Sequence, residues 1–324
     1  MSRETPSVSH IICLVGPTGS GKTAAALHIA CSLAQSGFPT SIINADSRQI
    51  YQDFPIITAQ PTQEERTQCP HLLYGFLPTD QKSSAGKWMD SARTTVAEVT
   101  AQGRFPLLVG GTGLYIRALL DGMADIPAPD AAVSTRLQEQ CRMEGPLPLH
   151  ARLSGIDPVY AARIHPHDRQ RVIRALEVWE STGRTFSWWH EHAVSPVPET
   201  TVLRLGMGLP LRELAPLLSK RINAMLDAGA MDEARSALKA YPELSLPGWS
   251  VIGCRELGKA LTGQLPLAEA MELWQKNTRA YAKRQWTWFR ADPRITWFRP
   301  DDPAAYRNMT KLALAFLQGK PSGS

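Results

Sequence analysis

The chain has 324 residues, 43% of them hydrophobic and 20% charged, with 23 Gly, 25 Pro, 5 Cys and a formal net charge of +5. That apolar content supports a sizeable core in one or two domains and excludes a disordered or collagen-like chain. No run of 18 or more apolar residues occurs, and Met1 to His10 is polar rather than a charged stub before an apolar block. Neither a spanning helix nor a secretory signal is therefore expected, and a soluble, cytoplasmic protein with no membrane partner is. Cys13, Cys31, Cys69, Cys141 and Cys254 are scattered and lack any Cys-x2-Cys pair, which predicts free thiols rather than disulfides or a structural zinc site.

In chain order, Ile11 to Val15 is a short β-branched run that reads as a strand, and Lys22 to Gln35 is an alanine-rich helix. Between them, Gly16-Pro17-Thr18-Gly19-Ser20-Gly21-Lys22-Thr23 matches the phosphate-loop pattern of nucleotide-binding and ATP-binding proteins in full, in the strand-to-helix context that pattern requires. Its glycines let backbone N–H groups turn onto a phosphate, Lys22 supplies a point charge, and Thr23 offers a hydroxyl to Mg2+. The loop binds a diphosphate or a triphosphate and does not by itself say which.

A second strand, Ser41 to Asn44, ends in Asp46-Ser47-Arg48-Gln49; Trp88 to Ala101 reads as a helix; and a third strand, Phe105 to Val109, ends in Gly110-Gly111-Thr112-Gly113. Strands alternating with helices predict an α/β fold with a parallel sheet and ligands at the carboxyl ends of its strands. A nucleotide hydrolase on a phosphate loop needs an Asp at the end of such a third strand to hold magnesium. Here glycines and Thr112 stand in that place. The carboxylate lies on the second strand, at Asp46, which reads either as a general base, if strands one and two flank one crevice, or as the cap of a following helix.

From about Ala124 the composition shifts, with an extended break at Ile126-Pro127-Ala128-Pro129 and no strand-like run for the next 60 or so residues. This predicts a helical insertion over 124–200 in an α/β core made of 1–123 and 201–324, with a strand returning at Leu203 to Met207. The insertion holds Arg163, His165, His167, Asp168, Arg169, Arg171 and Arg174, of which Arg171 and Arg174 share a helix face with Gln170. A long helix, Pro266 to Arg290, interleaves Arg279, Lys283, Arg284 and Arg290 with Tyr281, Trp286, Trp288 and Phe289. Cations among aromatic planes suit a single-stranded nucleic acid, although either stretch also reads as a solvated amphipathic helix. Ile295 to Phe298 reads as a last strand, and the Gly319 to Ser324 tail as disordered.

Five ordered blocks then carry a resemblance: the phosphate loop; Asp46-Ser47-Arg48-Gln49-Ile50-Tyr51; Gly110-Gly111-Thr112-Gly113-Leu114-Tyr115; Asp168-Arg169-Gln170-Arg171-Val172-Ile173-Arg174; and Tyr281-Ala282-Lys283-Arg284-Gln285-Trp286-Thr287-Trp288-Phe289-Arg290. Together they resemble the tRNA dimethylallyltransferase family. The resemblance implies a P-loop kinase-like core that grips dimethylallyl diphosphate, and an inserted domain that clamps the tRNA anticodon stem-loop. The prenyl group would go to N6 of the adenosine 3′ of the anticodon, in tRNAs reading codons that begin with U.

It further implies Asp46 as general base, Thr112 as donor to the leaving oxygen, Lys22 as charge neutraliser, Thr23 as magnesium ligand, and a diphosphate clamp on Arg212 with help from Arg221. The tRNA contacts it implies fall on Asp46 to Gln49, Thr112, Arg136, Gln170 to Arg174, Arg255, Lys283, Arg284, Gln285, Trp288 and Arg290, in a monomeric enzyme. The chain departs from the family pattern at Gln60, Ser134 and Ser250, where the family usually carries a cation.

Overall fold

The computed structural model describes residues 9–192 and 200–320. It divides into two compact units, one formed by Met1–Leu120 with Glu199–Ser324 and the other by Asp121–Pro198. The Pro321 to Ser324 part of the tail expected to be disordered lies outside the described residues. All five cysteines are free thiols. No helix among the described residues is long and apolar enough to cross a membrane.

The larger unit is built on β1 (Ser9–Val15), β2 (Thr40–Asn44), β3 (His71–Leu72), β4 (Phe105–Gly110), β5 (Thr200–Met207) and β6 (Thr296–Phe298). They form one sheet in the order β3-β2-β4-β1-β5-β6 with every pair parallel. Among the elements that escape sequence reading are β3, which has only two residues, α2 (Gln63–Gln68), which is short and solvated, and the helices over 113–120, 211–261 and 305–317. The strand read as third is thus fourth in the chain.

β1 is apolar on successive residues because both of its faces are covered, the pattern a central parallel strand demands. Alternate side chains divide between two cores. Ile12 and Leu14 pack with Ala26, Ile29 and Leu33 of α1 (Lys22–Gln35) and Met309 of α14 (Ala305–Leu317). Ile11, Cys13 and Val15 pack with Trp88 and Ala92 of α3 (Ala85–Ala101) and Tyr115 of α4 (Gly113–Leu120).

A third core gathers Ile50, Phe54 and Ile57 with α10 (Leu211–Asp227), α11 (Ala230–Ala240), α12 (Cys254–Leu261) and α13 (Leu267–Arg290). Between α11 and α12, Pro247–Ser250 forms a 3-10 turn, and its Trp249 meets Phe54 edge to face at 5.1 Å between ring centroids.

Every regular element among the smaller unit's described residues is a helix: α5 (Ala131–Glu144), α6 (Pro146–Ile156), α7 (Pro158–Ala161), α8 (Arg169–Thr182) and α9 (Phe186–Glu191). Its core joins Leu137, Cys141, Leu149 and Leu153 to Val172, Ile173 and Leu176 of α8. Val172 and Ile173, expected among the tRNA contacts, therefore point inward, at 0% and 8% exposure. Gln170 and Arg171 are exposed and Arg174 half-buried, so the helical spacing sorts polar from apolar as it must.

One close approach sets the sheet's working edge. A Cβ placed on Gly110, at the end of β4, would lie 2.2 Å from the backbone of Ala45, the residue that follows β2. Gly110→Ala must push two strand ends apart, so it is expected to lower stability at the upper end of the ~1–3 kcal/mol range for overpacking. Urea unfolding of the full chain measures this; an unchanged midpoint would show that the strand ends yield freely.

Candidate active site

The phosphate loop leaves β1 and enters α1 through Gly19 at φ 77° and Gly21 at φ 85°, left-handed conformations that side-chain-bearing residues rarely adopt. α1 has no side-chain cap at its N-terminus and no acidic residue in its first turn, so its N–H groups and dipole remain available to an anion. Ser20 Oγ is buried without a hydrogen-bond partner among the described residues.

Beside the loop lies a cavity of about 330 Å³. Thr18, Gly19, Gly21, Lys22 and Thr23 form one part of its wall, with Asp46, Arg48, Gln49, Arg221 and Tyr281 next to them. The remaining wall is mixed: Ile57, Leu218, Ile222, Met225, Val251, Ile252 and Trp274 give it apolar surface, and Thr58, Glu65, Tyr74 and Thr278 interrupt it with polar groups.

Asp46 reaches this cavity by a route the sequence does not show. β4 lies between β1 and β2, so the strand carrying Asp46 is two positions from the strand carrying the loop, about 10 Å away. The glycine pair at the end of β4 clears the path: a Cβ on Gly111 would stand 3.1 Å from Asp46 Oδ2. Asp46 Oδ1 accepts from the backbone N–H of Arg48 at 3.0 Å and caps a turn; no helix follows it.

Two cations face that carboxylate. Burial lowers the pKa of Lys22 to about 8, against the opposing pull of Asp46, while the positive charge of Arg221 depresses it further. Lys22 Nζ donates to Pro17 O at 2.7 Å. Arg221 is half-buried in the cavity wall, its pKa lowered by desolvation and held up by Asp46.

The expected clamp, Arg212, is elsewhere. It stands near the start of α10 with 85% of its side chain exposed and pairs with Glu213 at 3.5 Å. Nine residues separate it from Arg221 along α10, about two and a half turns, so the two project from opposite faces of one helix. Arg221 is the arginine in the cavity wall; the nine-residue spacing separates it from Arg212, and the fold decides which of the two faces the cavity.

Gln285, expected to touch tRNA, is 4% exposed and committed internally. Its Oε1 accepts from Thr18 N at 2.8 Å and its Nε2 donates to Gly111 O at 2.9 Å, joining the phosphate loop to the loop after β4. Gln49 donates to Thr58 O at 3.0 Å and Ala59 O at 2.6 Å. Thr112 accepts from Ser47 N at 2.9 Å and donates to Ser47 Oγ at 3.1 Å, so this hydroxyl lies at the junction of the two strand ends rather than in the cavity wall. Tyr281, in hydrogen-bond reach of Thr112 and Arg48, has its hydroxyl pKa pushed up to about 12, chiefly by burial and then by the charge of Asp46.

The remaining expected contacts are cations and rings at the surface. Arg255, Lys283, Arg284 and Arg290 are exposed. Arg284 and Arg48 lie over the Tyr281 ring at 5.7 Å and 5.3 Å, Arg290 over Trp286 at 5.8 Å, and Arg117 over the partly exposed Trp288 at 5.3 Å. In the smaller unit, Arg136 is paired with Glu180, and Arg171 with Asp168 at 3.4 Å.

Magnesium is compatible with this donor set. Thr23 presents one hydroxyl on the cavity wall, and no cluster of three or more His, Cys, Asp or Glu among the described residues could cage an ion. An ion held here would draw most of its ligands from phosphate oxygens and water, which suits Mg2+.

The family model described as IPP transferase matches residues 49–292. A tRNA dimethylallyltransferase from Nitratidesulfovibrio vulgaris (strain DSM 19637 / Miyazaki F) is 56% identical over 325 residues, covering 96% of this chain and 94% of that protein. The solved tRNA isopentenylpyrophosphate transferase from Bacillus halodurans superposes with a TM-score of 0.69 at 32% identity, covering 96% of this chain and 97% of that one. A eukaryotic dimethylallyltransferase solved acting on tRNA shares the fold, with a TM-score of 0.81 at 24% identity over 98% of this chain and 81% of that one. The sequence relationship runs through both the phosphate loop and the long α13 helix, and on that basis the chain belongs to the IPP transferase family.

Proposed function

We propose that the protein transfers a dimethylallyl group from dimethylallyl diphosphate to N6 of the adenosine 3′-adjacent to the anticodon, in tRNAs reading codons that begin with U. The observation that carries this reading is one cavity with two kinds of surface: desolvated Lys22 and Arg221 beside the phosphate loop, and an apolar set of Ile57, Leu218, Ile222, Val251, Ile252 and Trp274. A diphosphate fits the first and a short hydrocarbon the second. A nucleoside triphosphate does not need the second.

In the reaction the allylic C1–O bond breaks with its electron pair leaving on diphosphate, and N6 forms the new bond to C1. Asp46 accepts the proton that N6 loses. Lys22 and Arg221 offset the charge growing on the leaving group, in a site where burial makes that interaction strong. The family resemblance gives Thr112 the role of donor to the bridging oxygen, although its hydroxyl here bonds Ser47 outside the cavity wall. Mg2+ held through Thr23 would add charge neutralisation at the diphosphate. Arg171 and Arg174 on α8, Arg136, and the exposed set Arg255, Lys283, Arg284, Trp288 and Arg290 bind the anticodon stem-loop, whose adenine must leave its stack to be modified. The enzyme acts as a monomer in the cytoplasm.

Asp46→Asn tests the reading directly. Asn retains an oxygen for the Arg48 N–H and so keeps the turn, but it cannot take a proton. The expected loss is about 10²–10⁴-fold in the single-turnover rate with prebound tRNA, with tRNA affinity unchanged. Wild-type chemistry in this variant would remove Asp46 from the proton path.

Arg221 and Arg212 are separable by the same assay. Arg221→Gln should lower kcat/KM for the donor by on the order of 10²-fold, whereas Arg212→Gln should stay within about twofold. The reverse ranking would return the clamp to Arg212.

The lowered Lys22 pKa sets a pH dependence. Below about 8 the amine is cationic in the free protein, and above it the amine is neutral and a diphosphate must bring a proton with it. Donor affinity should therefore fall as pH rises through about 8, and calorimetry at pH 9 in buffers of different ionisation heat should show proton uptake on binding. Lys22→Arg keeps its charge and should lose this limb; a pH-independent wild type would show that Lys22 stays protonated throughout.

A further inference from the structure

Three cavity-lining residues of α13, Trp274, Thr278 and Tyr281, fall at i, i+4 and i+7 and form one stripe along the helix. Tyr281 marks the reacting end, since it neighbours Asp46 and Thr112. Trp274 stands two turns away, about 10 Å along the axis, at the apolar end. Its ring is 2% exposed and belongs to the core of Ile57, Ile222, Val251 and Leu257.

The ring also has nowhere to turn. Gly253, at φ 95°, passes so close that a Cβ there would lie 2.6 Å from Trp274 Cε2 and 2.7 Å from Ile57 Cγ2. A large rigid side chain wedged against backbone at the end of a tail pocket is a stop. We propose that Trp274 is the specificity-determining residue that limits the donor to a five-carbon allylic diphosphate and excludes the ten-carbon homologue, geranyl diphosphate. This rests on the reading of the cavity as a prenyl-donor site. A hydrocarbon tail longer by one isoprene unit must pass through the volume the indole occupies.

Removing the ring leaves an apolar space continuous with the cavity, and such spaces stay dry and accept apolar groups. The transfer itself is unchanged in the enlarged site: the C1–O bond of geranyl diphosphate breaks with its electron pair on diphosphate, N6 bonds to C1, and the amine proton goes to Asp46.

The experiment offers unmodified tRNA, Mg2+ and an equimolar mixture of dimethylallyl and geranyl diphosphate to wild type, Trp274→Ala and Trp274→Leu, and weighs the nucleosides formed. Wild type is expected to give the dimethylallyl product alone. Each variant should raise the geranyl-to-dimethylallyl product ratio by on the order of 10–100-fold, because discrimination of hydrocarbon size in a pocket has about that reach. Trp274→Leu keeps an apolar filling, and it carries the test where Trp274→Ala fails to fold.

A third measurement needs no variant: geranyl diphosphate should inhibit wild-type dimethylallyl transfer only weakly. Strong competition by geranyl diphosphate, geranyl transfer by wild type, or an unchanged product ratio in variants that still transfer dimethylallyl overturns the stop. Wild type that modifies no tRNA with dimethylallyl diphosphate overturns the donor reading itself, and the stop with it.

Discussion

β4 ends without side chains, and the site depends on that. In a parallel sheet the strand ends deliver their loops side by side, so a residue on one strand ordinarily addresses its immediate neighbour. β4 separates the loop-bearing β1 from the Asp46-bearing β2. With any side chain at Gly110 the strand ends cannot close, and with one at Gly111 the space of the Gln285 amide, 2.0 Å from the position a Cβ would take, is lost. The glycine pair brings a carboxylate within electrostatic reach of Lys22 and Arg221, where a magnesium-binding Asp on the intervening strand would have set up phosphoryl chemistry. Lys22, Arg48 and Arg221 against Asp46 and Glu65 leave an excess of positive charge in the cleft. Such an excess is costly alone and is offset by an anion.

α13 then organises the site through a single seam. Trp274, Thr278, Tyr281, Gln285 and Trp288 recur at helical spacing over fifteen residues of this helix and do four separate jobs. The first ends the apolar wall, and the next two continue the cavity. Gln285 ties Thr18 to Gly111, and Trp288 packs so closely on Gly113 that a Cβ there would be 2.0 Å from its Nε1. Arg279, Lys283 and Arg290 project from the other side, exposed. One rigid element thus fixes the distance between the phosphate loop and the loop after β4, and its outer face carries cations.

This seam also explains what the sequence disclosed and what it withheld. The phosphate loop, β1, α1, β4 and α13 were legible because each joins a strong local pattern to a matching neighbour; Lys22–Gln35 is the helix the alanine-rich run predicts. β3 was not legible, since two residues carry no periodicity, and its place in the sheet comes from pairing with β2. The insertion was visible as a loss of strand signal, yet within Gln170 to Arg174 the apolar Val172 and Ile173 serve the core of their own unit. Gln285 had a structural part that the sequence could not show: a neutral amide among cations looks like part of a nucleic-acid surface, and only the fold shows that its two ends bond backbone 267 and 174 residues away. Arg212 and Arg221 differ by helix phase, which becomes decisive only once the cavity side of α10 is known.

The apolar wall poses a last problem, because it is made partly of loops, and loops bring backbone N–H groups that a hydrocarbon cannot satisfy. Buried carboxylates outside the cavity solve it. Glu233, on α11, accepts from Ile56 N at 2.6 Å and Ile57 N at 2.8 Å, holding the loop that presents the Ile57 side chain. Burial raises the pKa of Glu233 while those two donors oppose the rise, so its hydrogen bonds hold the charge in place. Glu256, on α12, does the same for Gly253 N at 2.7 Å and takes Asn277 Nδ2 of α13 at 2.6 Å, fixing the segment after Val251 and Ile252 against the helix that carries Trp274. Gln60 turns its amide to Tyr51 O at 2.7 Å and so braces the same loop. The carboxylates that hold these loops thus stand outside the cavity lining with hydrogen bonds spent on loop backbone, and Ile57, Val251, Ile252 and Trp274 are left to supply its apolar surface.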